Sequence, residues 1–411
     1  MKILMISNLY PPYYNGGYEL ACRNYSEGLE KRNNQVVILT SQYGVNKPVI
    51  DGNIHRLLKL NPLGALNYRP LRVNPFRIRI RYKQLKWSLF TRQNYDITLK
   101  VIKSVNPDII CAWNMEEIGV MPLLASNKMG IPTVVYVQDY WLSSLQDTLL
   151  LEPGMLKRRF HLVMEGLSDF NQLGLKHLIM VSKSLQRHYV EKGFAEDIMS
   201  VIENGIPEKL IVDAAKKNPA SGDDGVIKLL YVGRLVQEKG IQIAVRAMDI
   251  LVNKFNIHNI SLDIVGDGLL KNVTPIKELT TALNLDHHVH FFGRMDYDKV
   301  IEEYDRHFAV LVPSLWDEPF GLTILEAMAR GIPVIASDRG NSPDMIDNGQ
   351  TGFIVPAENP EAYALVIKKL MEDQGLYQKI WAHALQEVQN RYRFNLVLDK
   401  IIKTFSAILR P

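Results

Sequence analysis

The sequence of 411 residues predicts an α/β protein of two domains, each built on a parallel β-sheet that helices cover on both faces. Short apolar runs alternate with segments of helical periodicity along the whole chain. A polar stretch with few apolar residues, 213–225, separates two sets of such runs. The length is also sufficient for two hydrophobic cores.

Six strand candidates precede the polar stretch, and six follow it. Those of the first half are Lys2–Ser7, Val36–Ser41, Asp108–Trp113, Thr133–Val137, Leu178–Ser182 and Ser200–Glu203. Those of the second half are Lys228–Gly233, Ser261–Gly266, Val289–Gly293, Phe308–Pro313, Pro333–Ser337 and Gly352–Val355. We therefore predict an N-terminal domain over 1–210, a linker over 211–226 and a C-terminal domain over 227–392.

The composition is that of an ordinary globular protein, with 47% hydrophobic and 22% charged residues. The net charge of +4 is too small to indicate nucleic-acid binding by itself. Cys22 and Cys111 are the only cysteines, too few for a disulfide framework or a cysteine zinc site. The apolar N-terminal run is too short for a signal peptide, and no run approaches the roughly eighteen residues of a spanning helix. We expect a cytoplasmic protein.

The segment EPFGLTILEAMARG, residues 318–331, carries the most functional information. It follows the strand candidate Phe308–Pro313 and predicts a turn, then a helix over Leu322–Arg330 that ends at Gly331. The backbone N–H groups of Gly321, Leu322 and Thr323 would line the helix N-terminus, which favours phosphate.

Two carboxylates, Glu318 and Glu326, flank this predicted anion site. Carboxylates repel phosphate but accept hydrogen bonds, and the hydroxyls of a sugar or a ribose donate them. The segment therefore predicts a ligand in which a phosphate lies between a sugar and a nucleoside.

The two glutamates form an E-x7-E pattern, and EPFGLTILEAMARGIPVIAS resembles the retaining glycosyltransferases of family 4 (group 1), which have the GT-B fold. The resemblance implies two Rossmann-like domains that face each other across a cleft, with a C-terminal helix, 393–411, crossing back to the first domain. It implies transfer of a sugar from a UDP- or GDP-sugar to an unidentified acceptor, without a cofactor or a metal ion. It further implies that Glu318 contacts the donor sugar and Glu326 the ribose.

A second element, Gly233-Arg234 followed by Lys239-Gly240, ends the first strand candidate of the second half. Taken alone, Arg234 and Lys239 could equally be a solvated surface pair. The element resembles the G-R-x4-K-G pattern of the family, which implies that both cations stabilise the charge on the leaving diphosphate. Gly233 lets the backbone approach the ligand closely.

Three further donor-binding residues come from weaker patterns. Gly16 and Gly17 follow the first strand candidate and resemble the family's glycine-rich loop, whose backbone approaches the donor phosphate. Arg294 follows the strand candidate Val289–Gly293, where the resemblance implies backbone contacts with the nucleotide base.

Gln138 departs from the family pattern, because many members carry histidine before the aspartate that is Asp139 here. A glutamine amide can hydrogen-bond a sugar hydroxyl but cannot transfer protons. The chain is then either an active enzyme that needs no base at this position or a catalytically silent nucleotide-sugar-binding subunit.

The segment Arg69–Arg92 is basic, has no acidic residue and contains interleaved aromatic residues. One interpretation is a surface for an anionic acceptor or for anionic lipid, which would place the protein at the inner face of a membrane. A solvated helix face explains the charges slightly better, and nucleic acid is disfavoured because no binding module accompanies the segment.

Two other enzyme classes fit the sequence less well. An NAD-dependent dehydrogenase is disfavoured because no G-x-G-x-x-G follows the first strand candidate. GT-B epimerases, which share the fold, fit the E-x7-E context less well.

Overall fold

A computed structural model describes residues 1–14, 16–60, 78–151, 170–213 and 225–410. The contacts divide the chain into two units, of which unit 1 comprises Met1–Ile202 and the residues from Leu398 onward. Unit 2 comprises Glu203–Val397. The predicted linker lies largely outside the described residues, since 214–224 are not among them, and it stays a prediction.

Unit 1 contains an eight-stranded sheet in the order β3-β4-β2-β1-β5-β6-β7-β8. The strands are β1 Lys2–Ser7, β2 Gln35–Ser41, β3 Val49–Asp51, β4 Ile54–Leu58, β5 Ile109–Ala112, β6 Thr133–Val137, β7 His177–Met180 and β8 Met199–Val201. All neighbouring strands are parallel except β3, which pairs with β4 in the antiparallel sense. Ile3, Leu4 and Ile6 of β1 are fully buried, as expected for a central strand that is covered on both faces.

Helices connect these strands in the described part of unit 1. They are α1 Gly17–Lys31, α2 Ile78–Val105, α3 Met121–Lys128, α4 Trp141–Leu151 and α5 Lys183–Glu191, with 3₁₀ turns at Phe170–Leu173 and Glu196–Ile198. Gly16 is the N-cap residue of α1, and its backbone N–H donates to Oε2 of Glu19 at 3.1 Å. This bond is one half of a capping box, because glycine has no side chain that could accept a hydrogen bond in return.

Unit 2 contains a six-stranded parallel sheet in the order β11-β10-β9-β12-β13-β14. The strands are β9 Ile227–Val232, β10 Ile260–Val265, β11 Val289–Gly293, β12 Ala309–Val312, β13 Val334–Ser337 and β14 Phe353–Val355. Because β9 lies between β10 and β12, the chain changes direction across the sheet at β9. Ligands of open α/β sheets bind at such a switch point, beyond the carboxyl ends of the strands.

The helices of unit 2 follow the strands in turn. They are α6 Ile241–Asp249, α7 Leu270–Ala282, α8 Tyr297–Tyr304, α9 Leu322–Ala329, α10 Ser342–Met345, α11 Pro360–Glu372 and α12 Gln374–Glu387, with π-helical extensions at Ile250–Lys254 and Val388–Tyr392 and 3₁₀ turns at Glu208–Leu210 and Gln237–Lys239. The last helix, α13 Phe394–Leu409, begins in unit 2 and continues in unit 1 from Leu398.

The prediction of two α/β domains with parallel sheets is confirmed, and each of the twelve strand candidates coincides with an observed strand. Strands β3 and β4 were not predicted. Strand β3 is only three residues long and exposed, so its sequence shows neither an apolar run nor an alternating pattern. Among the described residues, no helix combines the length and the apolar character that crossing a membrane requires.

Candidate active site

The switch point of unit 2 brings together the two segments that the sequence singles out. Gly233 and Arg234 follow β9, and the loop from Pro313 to Gly321 follows β12, its neighbour in the sheet. The 3₁₀ turn Gln237–Lys239 ends at Gly240, where an added Cβ would lie 1.7 Å from the carbonyl oxygen of Pro313. Glycine at this position therefore allows the two loops to touch.

The ammonium group of Lys239 forms an ion pair with Oε1 of Glu318, although the two residues are far apart in the sequence. Nε1–H of Trp316 donates to the same oxygen at 2.9 Å, and the hydroxyl of Ser314 donates to it at 3.2 Å. Glu318 is 8% exposed. A largely buried carboxylate is costly unless it is paired and hydrogen-bonded, and this cluster meets both needs.

Glu326 lies on α9 and accepts hydrogen bonds from two tyrosines of α8. The hydroxyl of Tyr297 donates to Oε1 and that of Tyr304 to Oε2, both at 2.9 Å. Burial raises the pKa of Glu326 to about 7, although the two tyrosine hydroxyls oppose this rise.

The N-terminus of α9 lies between the two glutamates along the chain. Gly321 adopts the left-handed conformation with φ +86°, and α9 begins directly after it at Leu322. The first N–H groups of a helix, here those of Leu322 and Thr323, have no acceptor within the helix and favour an anion. Gly331, with φ +74°, follows the C-terminus of α9, as predicted.

Glycines at the ends of three neighbouring strands allow their backbones to approach closely at the carboxyl edge of the unit 2 sheet. The N–H of Gly233 donates to the carbonyl of Val265, and the N–H of Gly266 donates to the carbonyl of Gly293. An added Cβ at Gly266 would lie 1.8 Å from the carbonyl oxygen of Gly233. The side chains of Arg234 and Arg294 start beside these glycines and are exposed, so both can reach a ligand at this edge.

The predicted residues of the first half lie at the carboxyl end of the sheet of unit 1. Gly16 and Gly17 are exposed at the start of α1, and Gln138 directly follows β6. The hydroxyl of Tyr18 donates to the carbonyl of Tyr136 at 2.9 Å, which ties the start of α1 to the end of β6. The glycine pair and Gln138 thus belong to one edge of one sheet.

A polar network that was not predicted lies beside Gln138. The side chain of Asn8 donates to Asn114 at 2.8 Å, and the side chain of Asn114 donates to Asp139 at 3.1 Å. Burial raises the pKa of Asp139 to about 6, against the hydrogen bonds from Trp141 and Asn114. Burial, together with the charges of Asp139 and Glu117, raises the pKa of Glu116 to about 7.

Sequence reasoning also missed Trp316, Ser314, Tyr297 and Tyr304. The two tyrosines are seven residues apart on α8, the spacing of residues on one helix face, but that spacing does not reveal which element the face meets. The predicted basic surface Arg69–Arg92 begins in 61–77, outside the described residues, and stays a prediction.

Known glycosyltransferases are similar to both halves of this chain. A model of the group 1 glycosyl transferases matches residues 193–386, and a model of glycosyltransferase family 4 matches residues 15–210. An uncharacterized glycosyltransferase of Methanocaldococcus jannaschii is 27% identical over 100% of this chain and 99% of its own length. Glycogen synthase of Mycobacterium tuberculosis is 24% identical over 100% of this chain and 95% of its own length.

Two solved structures are similar over nearly their whole length. The Anabaena protein HepE, in complex with UDP, has a TM-score of 0.72 at 19% identity and covers 99% of this chain and 100% of its own. WaaG, a glycosyltransferase involved in lipopolysaccharide biosynthesis, has a TM-score of 0.65 at 16% identity and covers 98% of this chain and 99% of its own. At these identities the likeness establishes the GT-B fold.

Proposed function

Because this chain belongs to the group 1 glycosyltransferases of family 4, we propose that it transfers a sugar from a nucleoside-diphosphate sugar with retention of configuration and without a metal ion. The observation that carries this proposal is the contact of Lys239 with Glu318 at the switch point of unit 2. There a cation, a helix N-terminus and a carboxylate lie at one edge of the sheet. A diphosphate that is linked to a hydroxyl-bearing sugar needs these three features.

Each charged group has a role that follows from its chemistry. Negative charge grows on the diphosphate as the sugar leaves, and Arg234 and Lys239 stabilise that charge. The N–H groups of Leu322 and Thr323 hold phosphate oxygens, and Arg294 lies where the base would bind. Glu318 accepts a hydrogen bond from a sugar hydroxyl, and Glu326 accepts one from the ribose.

The configuration of the sugar is retained if the acceptor attacks from the same face of the sugar from which the diphosphate departs. A phosphate oxygen then takes the proton of the acceptor, and the protein needs no general base on the opposite face. Gln138 is compatible with this route, because its amide only has to hold a sugar hydroxyl. Gly16 and Gly17 allow the backbone to approach the donor phosphate.

The second candidate is a silent subunit that binds nucleotide sugars without turnover. Gln138 favours it, since this residue stands where many family members carry histidine. The active enzyme is the better candidate because Arg234, Lys239, Glu318 and Glu326 are all present. Hydrolysis of the donor by the purified chain in the absence of an acceptor separates the two.

A thermal-shift screen against UDP- and GDP-sugars tests the proposal directly. HepE was crystallised with UDP, which supports starting from UDP-sugars. A ligand at one hundred times its Kd stabilises the folded state by about 2.7 kcal/mol, which is easily measured as a rise in Tm. If no nucleotide sugar raises the Tm or is consumed, the proposal is wrong.

The two glutamates should differ in what they contribute to binding. We expect Glu326→Ala to weaken UDP or GDP binding, because the ribose loses its acceptor. We expect Glu318→Ala to bind the nucleotide normally and to lose mainly turnover. Calorimetric titration of both nucleotides into each variant measures this, and unchanged affinities in both variants would remove the ribose role of Glu326.

We also propose a cytoplasmic location with peripheral contact at anionic membranes through Arg69–Arg92. The support is the sequence alone, namely a run of basic residues with interleaved aromatic side chains. Binding to vesicles that contain phosphatidylserine should then fall steeply as salt is raised. If the protein binds equally well to neutral vesicles, the basic residues do not bind anionic lipid, and a solvated helix face explains them better.

A further inference from the structure

Trp316 is the side chain that contacts both charged members of the Lys239–Glu318 ion pair. Its indole N–H donates to Oε1 of Glu318 at 2.9 Å. Its ring centroid lies 5.5 Å from the ammonium group of Lys239, within cation–π distance. One rigid side chain therefore holds a carboxylate at its edge and a cation at its face.

The three donors of the cluster converge on a single oxygen of Glu318. Lys239, Trp316 and Ser314 all reach Oε1, whereas no hydrogen bond within the described part of the chain reaches Oε2. Occupation of one oxygen fixes the orientation of the carboxylate plane. The second oxygen remains as an acceptor in one defined position.

The backbone of the same loop is held separately from the side chain of Glu318. The N–H of Gly340 donates to Oδ1 of Asp317 at 3.0 Å, and the N–H of Asn341 donates to the carbonyl of Glu318 at 2.9 Å. These bonds fix where the side chain of Glu318 begins but leave its torsions free. The donors to Oε1 decide where its carboxylate points.

We propose that Trp316 is a positioning residue, which holds Glu318 so that Oε2 accepts a hydrogen bond from a hydroxyl of the donor sugar. The inference rests on the proposed function, since it needs a nucleotide-sugar donor. A binding group acts efficiently only when its orientation is fixed by supporting contacts. Trp316 acts on the sugar through Glu318 and has little effect on the nucleotide itself.

The test replaces Trp316 by phenylalanine, which removes the N–H donor and keeps an aromatic face beside Lys239. The control is Trp381→Phe, the same exchange in unit 2. Trp381 packs against Gly331 at the C-terminal end of α9, where an added Cβ on Gly331 would lie 2.4 Å from Nε1 of Trp381. The control therefore reports the loss of an indole N–H at the opposite end of the same helix.

The readout is the ratio of two affinities, for UDP and for UDP-glucose (or for GDP and GDP-mannose, if the screen selects GDP). We expect Trp316→Phe to reduce the affinity for the nucleotide sugar about tenfold, as for the loss of one hydrogen bond to a charged group, with nucleotide affinity unchanged. Turnover of the nucleotide sugar should fall by a similar factor. Trp381→Phe should leave both affinities and turnover at the wild-type values.

The inference is wrong if Trp316→Phe changes both affinities equally, or changes neither. If the wild-type chain binds no nucleotide or nucleotide sugar at all, the proposed function has failed and this inference fails with it. Circular dichroism and Tm show whether Trp316→Phe is folded. If it is not, Trp316→Tyr is measured in the same way, because it keeps an aromatic ring but places its hydroxyl away from the indole nitrogen position.

Discussion

At the scale of single residues, the ion pair of Lys239 with Glu318 couples two roles that the sequence motifs assign separately, binding of the diphosphate and binding of the donor sugar. Lys239 comes from the G-R-x4-K-G element and Glu318 from the E-x7-E element, and the structure places their charged groups in contact. A change at Lys239 therefore removes a cation from the diphosphate and also removes a donor from Glu318. Arg234 is exposed and lacks this coupling to Glu318.

We expect Arg234→Ala and Lys239→Ala each to lower kcat by about two to three powers of ten, as for the loss of a group that stabilises transition-state charge. Lys239→Ala combined with Glu318→Ala should lose less than the sum of the single effects, because the two residues act as a unit. Steady-state kinetics with the donor found by screening measures both. The control is Lys254→Ala, which removes the exposed ion pair of Lys254 with Glu361. Wild-type rates in both Arg234→Ala and Lys239→Ala would refute the diphosphate assignment.

Gln138 separates the active enzyme from the silent subunit. If Gln138 only holds a sugar hydroxyl, Gln138→Ala should lose about 1 kcal/mol, or a few-fold in rate, and the wild-type chain should turn over. If the absent histidine has silenced the chain, the wild type binds the donor without turnover and Gln138→His gains hydrolysis. We expect the first result. The rate at which wild type, Gln138→Ala and Gln138→His release nucleoside diphosphate from the donor distinguishes the active enzyme from the silent subunit.

At the scale of elements, the site depends on a turn that the motifs do not include. Gly340 precedes α10 and packs directly against the loop that carries Glu318. Its φ is +57°, and an added Cβ would lie 2.2 Å from the backbone nitrogen of Glu318. The approach of one loop backbone to another requires glycine here.

Gly340→Ala should therefore destabilise the protein by about 2–3 kcal/mol and also reduce turnover, because the loop must move. Gly349→Ala is the matched control, since Gly349 has φ +75° but no atom lies within 4 Å of its added Cβ. We expect the control to lose only about 1 kcal/mol from backbone strain, with normal turnover. Urea unfolding and donor hydrolysis are the measurements. Equal loss of turnover in both variants would show that backbone strain, rather than the clash with the backbone of Glu318, reduces turnover.

At the scale of the whole molecule, three partly buried carboxyl groups are expected to make stability depend on pH. Burial raises the pKa of Glu326 and of Glu116 to about 7 and that of Asp139 to about 6. A carboxyl group whose pKa is higher in the folded state binds its proton more tightly there. Its contribution to the free energy of unfolding is complete below the pKa that the group has in the unfolded state. That contribution is lost as the pH rises through the pKa that the group has in the folded state.

Glu326→Gln isolates one of these groups, because its neutral amide cannot titrate. We expect the variant to gain about 2 kcal/mol of stability relative to wild type as the pH is raised from 5 to 8. The control is Glu302→Gln, the same exchange at an exposed position of α8. Denaturant unfolding at several pH values gives the difference. A constant difference over this range would mean that Glu326 does not titrate there.

Much of this protein can be predicted from its sequence, for identifiable physical reasons. Most of the twelve predicted strands are largely apolar, because a parallel strand covered on both faces must bury apolar side chains on both. Asp263 in β10 and His290 in β11 are exceptions. Strands β3 and β4 escaped prediction because neither is a continuous apolar run. Strand β3 is an exposed edge strand of three residues, and His55 and Arg56 interrupt the apolar residues of β4. The helix Leu322–Ala329 was predicted within one residue, because glycines bound it at both ends.

The contacts within the site were decided by the tertiary structure alone. Strand order places the loop after β12 beside the loop after β9, so that Lys239 meets Glu318 across 79 residues of sequence. Packing of α8 against α9 brings Tyr304 to Glu326 in the same way. Motifs therefore identify which residues act, because spacing within one element reflects local geometry. Which of them touch depends on the order of strands in the sheet, which no local pattern contains.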